Sequence, residues 1–204
     1  MSRAASTKPG ARAKRAVPIK RAVPTGPAAT KRASPAAIAT QRDLMAHAYA
    51  MEAEASERYT EFADAMEAHN NPAVAELFRK LARIEHAHAE EILATMGWTV
   101  PPQPAGGKYR WEGLESPESG DSGELHYLMQ PYHALQIARA NEERARQFFV
   151  KLARQAASTA LRKAALAFAQ EEAEHVRLAD EWLARTPEPA RGWAEDPDPP
   201  LNVD

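Results

Sequence analysis

The chain has 204 residues, no cysteine, and 26 Lys plus Arg against 28 Asp plus Glu, a formal net charge of −2 with histidine neutral. That length fits one domain with flanking segments. Without cysteine there is no disulfide, zinc ribbon, thiolate-held iron–sulfur or rubredoxin-type iron centre and no catalytic thiol, so any metal must rest on His, Glu and Asp. No apolar run approaches the roughly 18 residues that span a bilayer, and the amino terminus lacks the apolar core of a secretory signal, so a soluble cytoplasmic protein with no membrane partner is expected.

Residues 1–34 carry nine Lys or Arg and no acid, which leaves 17 basic against 28 acidic residues beyond them, a net −11. This Ala/Pro-rich stretch has only Val17, Ile19 and Val23 as larger apolar side chains and cannot bury enough surface to offset its chain entropy, so it reads as a disordered basic tail. Three roles compete for it: a passive solubilising arm, a weak contact with nucleic-acid phosphates or anionic lipid, and a transit peptide. Its scattered prolines spoil the amphipathic helix of a transit peptide and favour the passive arm.

Residues 35–185 read as helical almost throughout. A first helix runs from about Pro35 to Ala68, where His69-Asn70-Asn71-Pro72 stops it, and Pro72 opens a second that ends at Gly97. So short a junction predicts antiparallel neighbours. Residues 97–123 hold Pro101, Pro102, Pro104, Pro117 and six glycines and read as a long crossover. A third helix follows from about Glu124 to Ala157, with a kink expected at Pro131, and a fourth from about Ser158 to Arg185. Short, long, short connections predict an all-α antiparallel four-helix bundle with one crossover between its second and third helices. Residues 186–204 form a Pro-rich acidic tail.

Steps of three and four residues trace the inward stripe of each helix. The stripes run Met45, Ala48, Glu52, Ala55, Tyr59, Phe62, Met66; Val74, Leu77, Leu81, Ile84 or Glu85, His88, Ile92; Leu135, Ala138, Glu142, Ala145, Phe149, Leu152; and Leu161, Ala165, Phe168, Glu172, His175, Ala179, Trp182. Each apolar stripe is interrupted by a carboxylate, a histidine or both. One interruption means little, because a lone histidine at a core edge is more often hydrogen-bonded than ligating. Four buried carboxylates cost several kcal/mol each, more than a marginally stable domain tolerates without something to neutralise them.

Glu85 and His88, and again Glu172 and His175, stand at Glu-x-x-His spacing, which stacks carboxylate and imidazole on one helix face. A single such pair arises by chance; here each lies in the second helix of a hairpin, 33 residues after Glu52 and 30 after Glu142. Glu52 is followed by Tyr59 and Phe62-Ala63, Glu142 at the same intervals by Phe149 and Leu152-Ala153. Two such hairpins about a pseudo-twofold axis bring together four carboxylates and two imidazoles, which balances two divalent ions with one imidazole each.

At these residues the chain resembles the ferritin-like di-iron superfamily, in particular its rubrerythrin and bacterioferritin branch, over roughly residues 40–185. The stretch from Glu52 through Tyr59 to Phe62-Ala63 is similar to the rubrerythrin first-helix motif. The resemblance implies that Glu52, Glu85, His88, Glu142, Glu172 and His175 are the metal ligands and that Tyr59 sits beside the metals in a redox or hydrogen-bonding role, against the plainer reading of a core aromatic. Two departures stand out: the extra carboxylate that rubrerythrins carry three residues beyond the third-helix Glu is Ala145 here, and a cysteine-bearing rubredoxin domain is missing. His86 occupies the place of the haem-binding Met of bacterioferritins, so haem is not expected.

The resemblance implies two iron ions, with manganese or a mixed pair as alternatives, and a peroxidase or ferroxidase that oxidises Fe(II) as H2O2 or O2 is reduced. It also implies a separate rubredoxin-like or flavoprotein electron donor and a homo-oligomer. Competing readings are an iron-storage shell subunit, a di-iron hydroxylase, a dimanganese catalase and a non-catalytic helical interaction module. His47, His69, His86, His126 and His133 lack a partner at ligand spacing and read as solvent-facing or structural. Trp98 and Trp111 read as pins for the crossover, and Glu54, Glu57, Glu90, Glu91, Glu171 and Glu174 as a solvated face or a path for iron.

Overall fold

The structure is a computed structural model and describes residues 38–104, 108–111 and 115–196. The basic segment 1–34 and residues 197–204 lie outside the described residues. Four long helices make up the described part: α1 (Gln41–Ala68), α2 (Pro72–Met96), α3 (Pro131–Gln155) and α4 (Thr159–Leu183).

Local chemistry sets each boundary. The Thr40 hydroxyl accepts from the Asp43 N–H at 3.0 Å while the Asp43 carboxylate accepts from the Thr40 N–H at 3.1 Å. This reciprocal cap starts α1 at Gln41, six residues later than the expected Pro35. Asn70, left-handed at φ 56°, turns the chain, and the Asn71 side chain then accepts from the Val74 N–H. Pro72, whose missing N–H costs nothing in a first turn, opens α2, and Gly97 at φ 63° closes it. Pro131 starts α3 rather than kinking a longer helix, so the crossover runs to Gln130, interrupted by a short 3-10 turn at Ser122–Glu124. Ser158 caps α4 by accepting from the Leu161 N–H at 3.1 Å.

α1 packs along α2, and α3 along α4; the two hairpins meet each other over much less surface. Two separate apolar clusters result. One gathers Leu44, Met51, Ile92, Phe149, Leu161 and Ala165, and the other Tyr59, Phe62, Met66, Phe78, Ala134 and Ala138. Between them lies the layer that contains the interrupting carboxylates.

The crossover is fixed to the α1 and α3 side. His47, 2% exposed, is structural: its Nδ1–H donates to the Asp43 carbonyl at 2.6 Å and its Nε2 accepts from the Arg110 N–H at 3.0 Å, with Tyr109 and Trp111 edge-on to the ring. Both bonds demand the neutral imidazole, and burial holds its pKa below the ordinary value. Replacing His47 with Ala orphans the Arg110 N–H and empties a buried site, at an expected cost of about 2 kcal/mol in urea unfolding. Faster trypsin cleavage after Lys108 and Arg110 should accompany that loss; wild-type stability and cleavage would show that the crossover is anchored elsewhere.

Trp98 and Trp111 pack against the first cluster, as pins for the crossover should. The segment after α4 differs from a free tail as far as it is described. Trp193 packs against His133, ring centroids 3.8 Å apart, and against the second apolar cluster.

Candidate metal centre

Glu52 comes from α1, Glu85 and His88 from α2, Glu142 from α3, and Glu172 and His175 from α4. The structure brings all six to the middle of the bundle. The four carboxylates are buried, none more than 5% exposed. They form two triads, Glu52–Glu85–His88 and Glu142–Glu172–His175, each offering three ligand atoms within 4.8 Å of one another.

In both triads the imidazole turns Nδ1 towards its carboxylates. His88 Nδ1 lies 3.1 Å from Glu85 Oε2 and 3.5 Å from Glu52 Oε2; His175 Nδ1 lies 3.3 Å from both Glu142 Oε2 and Glu172 Oε2. The two rings stack across the gap between hairpins, 4.7 Å between centroids and 7° from parallel. The pseudo-twofold relation in the sequence is thus a relation in space.

The electrostatics are those of a site short of positive charge. Burial raises the Glu85 carboxyl to about 7 and the Glu172 carboxyl to about 8, against the pull of the neighbouring histidines in the other direction. The Glu52 and Glu85 carboxylates beside it lift His88 to about 10. For His175 burial acts downward, but Glu142 and Glu172 outweigh it and carry the imidazole to about 11. Glu52 Oε2 and Glu172 Oε2 remain buried without a hydrogen-bond partner, although each lies near an imidazole. Four carboxylates, two imidazoles and orphaned buried oxygens fit a pair of divalent cations.

Tyr59 is fully buried, stacks on Phe78, and its hydroxyl accepts from Asn141 Nδ2 at 2.9 Å. Burial, then the charges of Glu142 and Glu85, raise its pKa well above the usual phenol value. Asn141, next to Glu142 in sequence and wholly buried, also accepts from Arg144. Tyr59→Phe strips Asn141 of an acceptor and is expected to cost about 1 kcal/mol of stability while leaving metal stoichiometry unchanged, read by thermal melting beside metal analysis. Loss of metal in that variant would make the hydroxyl part of the binding site.

A cleft of about 560 Å³ reaches Glu52, His88, Glu172 and His175 from one side, with Met45, Ile92 and Phe168 as apolar wall and Glu91 and Glu171 among its lining. A cavity of about 80 Å³, lined by Leu81, Leu135, Ala138 and Trp182, touches Glu85, Glu142 and His175 from another side.

One further carboxylate enters the layer. Glu118, from the crossover and 1% exposed, offers an oxygen within the same 4.8 Å span of oxygens of Glu85 and Glu142. Sequence reasoning missed it, because a Pro- and Gly-rich connection has no periodicity from which a face can be read. Glu54 also departs from a solvated face, since it is half-buried and accepts from the Ser116 N–H at 3.2 Å. His86 points outward and is exposed. Ala145 is completely buried in the first apolar cluster, so no carboxylate reaches the layer from that position.

The family model described as Rubrerythrin matches residues 43–101, which span α1 and α2 with two of the four carboxylates. The crystal structure of an uncharacterized conserved protein from Magnetospirillum magnetotacticum MS-1 matches at 41% sequence identity, over 74% of this chain and 98% of that one, with a TM-score of 0.53. The chain belongs to the ferritin-like di-iron superfamily, in its rubrerythrin branch. No functionally curated protein matches it. As a rubrerythrin-type chain it carries both Glu-Glu-His triads on the four-helix core, and no cysteine of a rubredoxin centre occurs in its 204 residues. Among the described residues no helix is long and apolar enough to cross a membrane.

Proposed function

We propose that this chain is a di-iron oxidoreductase, a peroxidase or ferroxidase, in which Glu52, Glu85 and His88 hold one iron and Glu142, Glu172 and His175 the other. The observation that carries the reading is the pair of facing triads at mid-bundle, their four carboxylates buried and short of positive charge. When bound, an iron pair supplies two electrons: two Fe(II) become two Fe(III) while H2O2 and two protons become two waters, or O2 is reduced.

The chain's own residues bind and orient. Each histidine is aimed by its helix so that Nδ1 faces the carboxylates, and the two apolar clusters keep bulk water from the layer along the bundle axis. The cleft beside His88 and His175 gives a small oxidant a way in, and its Glu91 and Glu171 suit attraction of Fe(II). A rubredoxin-like or flavoprotein donor returns the irons to Fe(II), and the working form is a homo-oligomer.

The test is stopped-flow mixing of anaerobically Fe(II)-loaded protein with H2O2 and with O2. Oxidation at least tenfold faster than that of free Fe(II) under the same conditions, with either oxidant, is the expected result. A rate equal to free Fe(II) with both would remove the activity.

A further inference from the structure

The crossover segment around Glu118 is held on both flanks. On the α1 side Glu54 accepts from the Ser116 N–H at 3.2 Å and Arg58 pairs with Glu115 at 2.9 Å; on the α3 side Arg144 Nε donates to the Pro117 carbonyl at 2.8 Å. The Ser116 and Ser119 hydroxyls meet at 2.7 Å and close the turn. With its neighbours fastened outward, the Glu118 side chain is directed into the bundle.

There it finds no partner. Both of its carboxylate oxygens are buried without a hydrogen bond, and the charges that act on it most strongly are Glu52, Glu142, Glu85 and Glu172. As an anion it faces four other carboxylates; as a neutral acid its O–H has no acceptor. Either form costs several kcal/mol in a buried site, which a bound cation relieves. The two positive groups at the layer, His88 and His175, already face carboxylates of their own triads. Glu118 instead meets Glu85 of one triad and Glu142 of the other, so its oxygen stands where the two triads adjoin.

We propose that Glu118 is a seventh protein ligand of the dimetal centre, delivered by the crossover rather than by a bundle helix. The inference rests on the reading of the two triads as a metal site and adds a residue to it. It predicts that the coordination sphere has contributions from five segments of the chain.

The test uses the full chain, freed of metal and titrated anaerobically with Co(II), whose visible absorption reports coordination directly. Wild type is compared with Glu118→Gln and with Glu118→Asp, which keeps the charge but withdraws it by one methylene. The expected result is a changed Co(II) spectrum in both variants, with affinity for at least one ion reduced tenfold or more. Metal-free Glu118→Gln should melt no lower than metal-free wild type, because the substitution removes a buried acid. If Glu118→Gln fails to fold, the spectrum of Glu118→Asp decides. An unchanged spectrum overturns the assignment, even where affinity falls, since charge alone weakens binding without altering the ligand set. Two Co(II) ions bound by wild type with an unchanged variant spectrum would sink this inference alone. No Co(II) bound by wild type would sink it together with the dimetal reading.

Discussion

Glu85→Gln is expected to bind at most one iron per chain where the wild type binds two, and Glu172→Gln the same, after anaerobic loading and desalting with metal counted by ICP-MS. Each triad has three ligand side chains, and these substitutions remove its most deeply buried carboxylate while keeping its volume. Loss of groups that merely support metal ligands costs about 10- to 100-fold in affinity, so loss of a direct ligand should cost more. Glutamine also leaves the neighbouring imidazole with one anion fewer, which strips charge from a site that must offset two dications. A helical spectrum equal to wild type would show that the fold survives. Retention of two irons in either variant would mean that the pair is held elsewhere.

The second large effect is on the pH dependence of stability, which should slope in opposite directions with and without metal. In the metal-free protein the folded-state values of Glu85, about 7, and Glu172, about 8, lie above the ordinary 4.5, and those of His88, about 10, and His175, about 11, lie above 6.5. All four groups bind protons more tightly when folded. Their stabilisation is complete below the ordinary values and is lost as pH rises, through about 7 to 8 for the acids and about 10 to 11 for the histidines. Tm of the metal-free protein should therefore fall steadily above about pH 5. Metal competes with protons for the same donors, so in the loaded protein Tm should rise with pH over that range.

Two sites each filled at a hundredfold excess over Kd add about 5 kcal/mol, which is about 10 °C or more in Tm for a chain of this size. Chelation near pH 8 should remove that amount, and near pH 5 much less. Melting curves at matched ionic strength, with and without EDTA, make the comparison. Parallel slopes in the two forms would show that the four groups do not share one site with the metal.

The helices and the two triads were legible because both depend on short-range spacing. Pro72 and Gly97 mark α2 in a way no tertiary contact overrides, and the Glu85–His88 and Glu172–His175 intervals fix relative direction through helix geometry alone. Where a boundary depends on a side-chain bond, the sequence was ambiguous. Pro35 is favoured in a first turn and gives the expected start, but the reciprocal Thr40–Asp43 cap begins α1 at Gln41. Residues before Pro131 are compatible with helix by composition, but proline disfavours it at Gln130, and Asn71 Nδ2 captures the Met129 carbonyl at 2.6 Å. The places of Glu118 and Trp193, and the partners that make His47 structural, were illegible for a common reason. They depend on irregular segments folding over helices, and no periodicity encodes where such a segment lands.

The division of the core into two apolar clusters with a polar layer between them gives the bundle an uneven mechanical profile. Each end is clamped by close packing, whereas the middle is held by electrostatics whose sign depends on what ions are present. Stripped of metal, the molecule should behave as two firm ends joined by a soft waist. Amide hydrogen exchange would then be fastest in the turns of α1 to α4 that carry Glu52, Glu85, Glu142 and Glu172, well before either end opens. Loading would stiffen the waist and leave the ends as they were, so the centre would set the local rigidity of the chain as well as its chemistry.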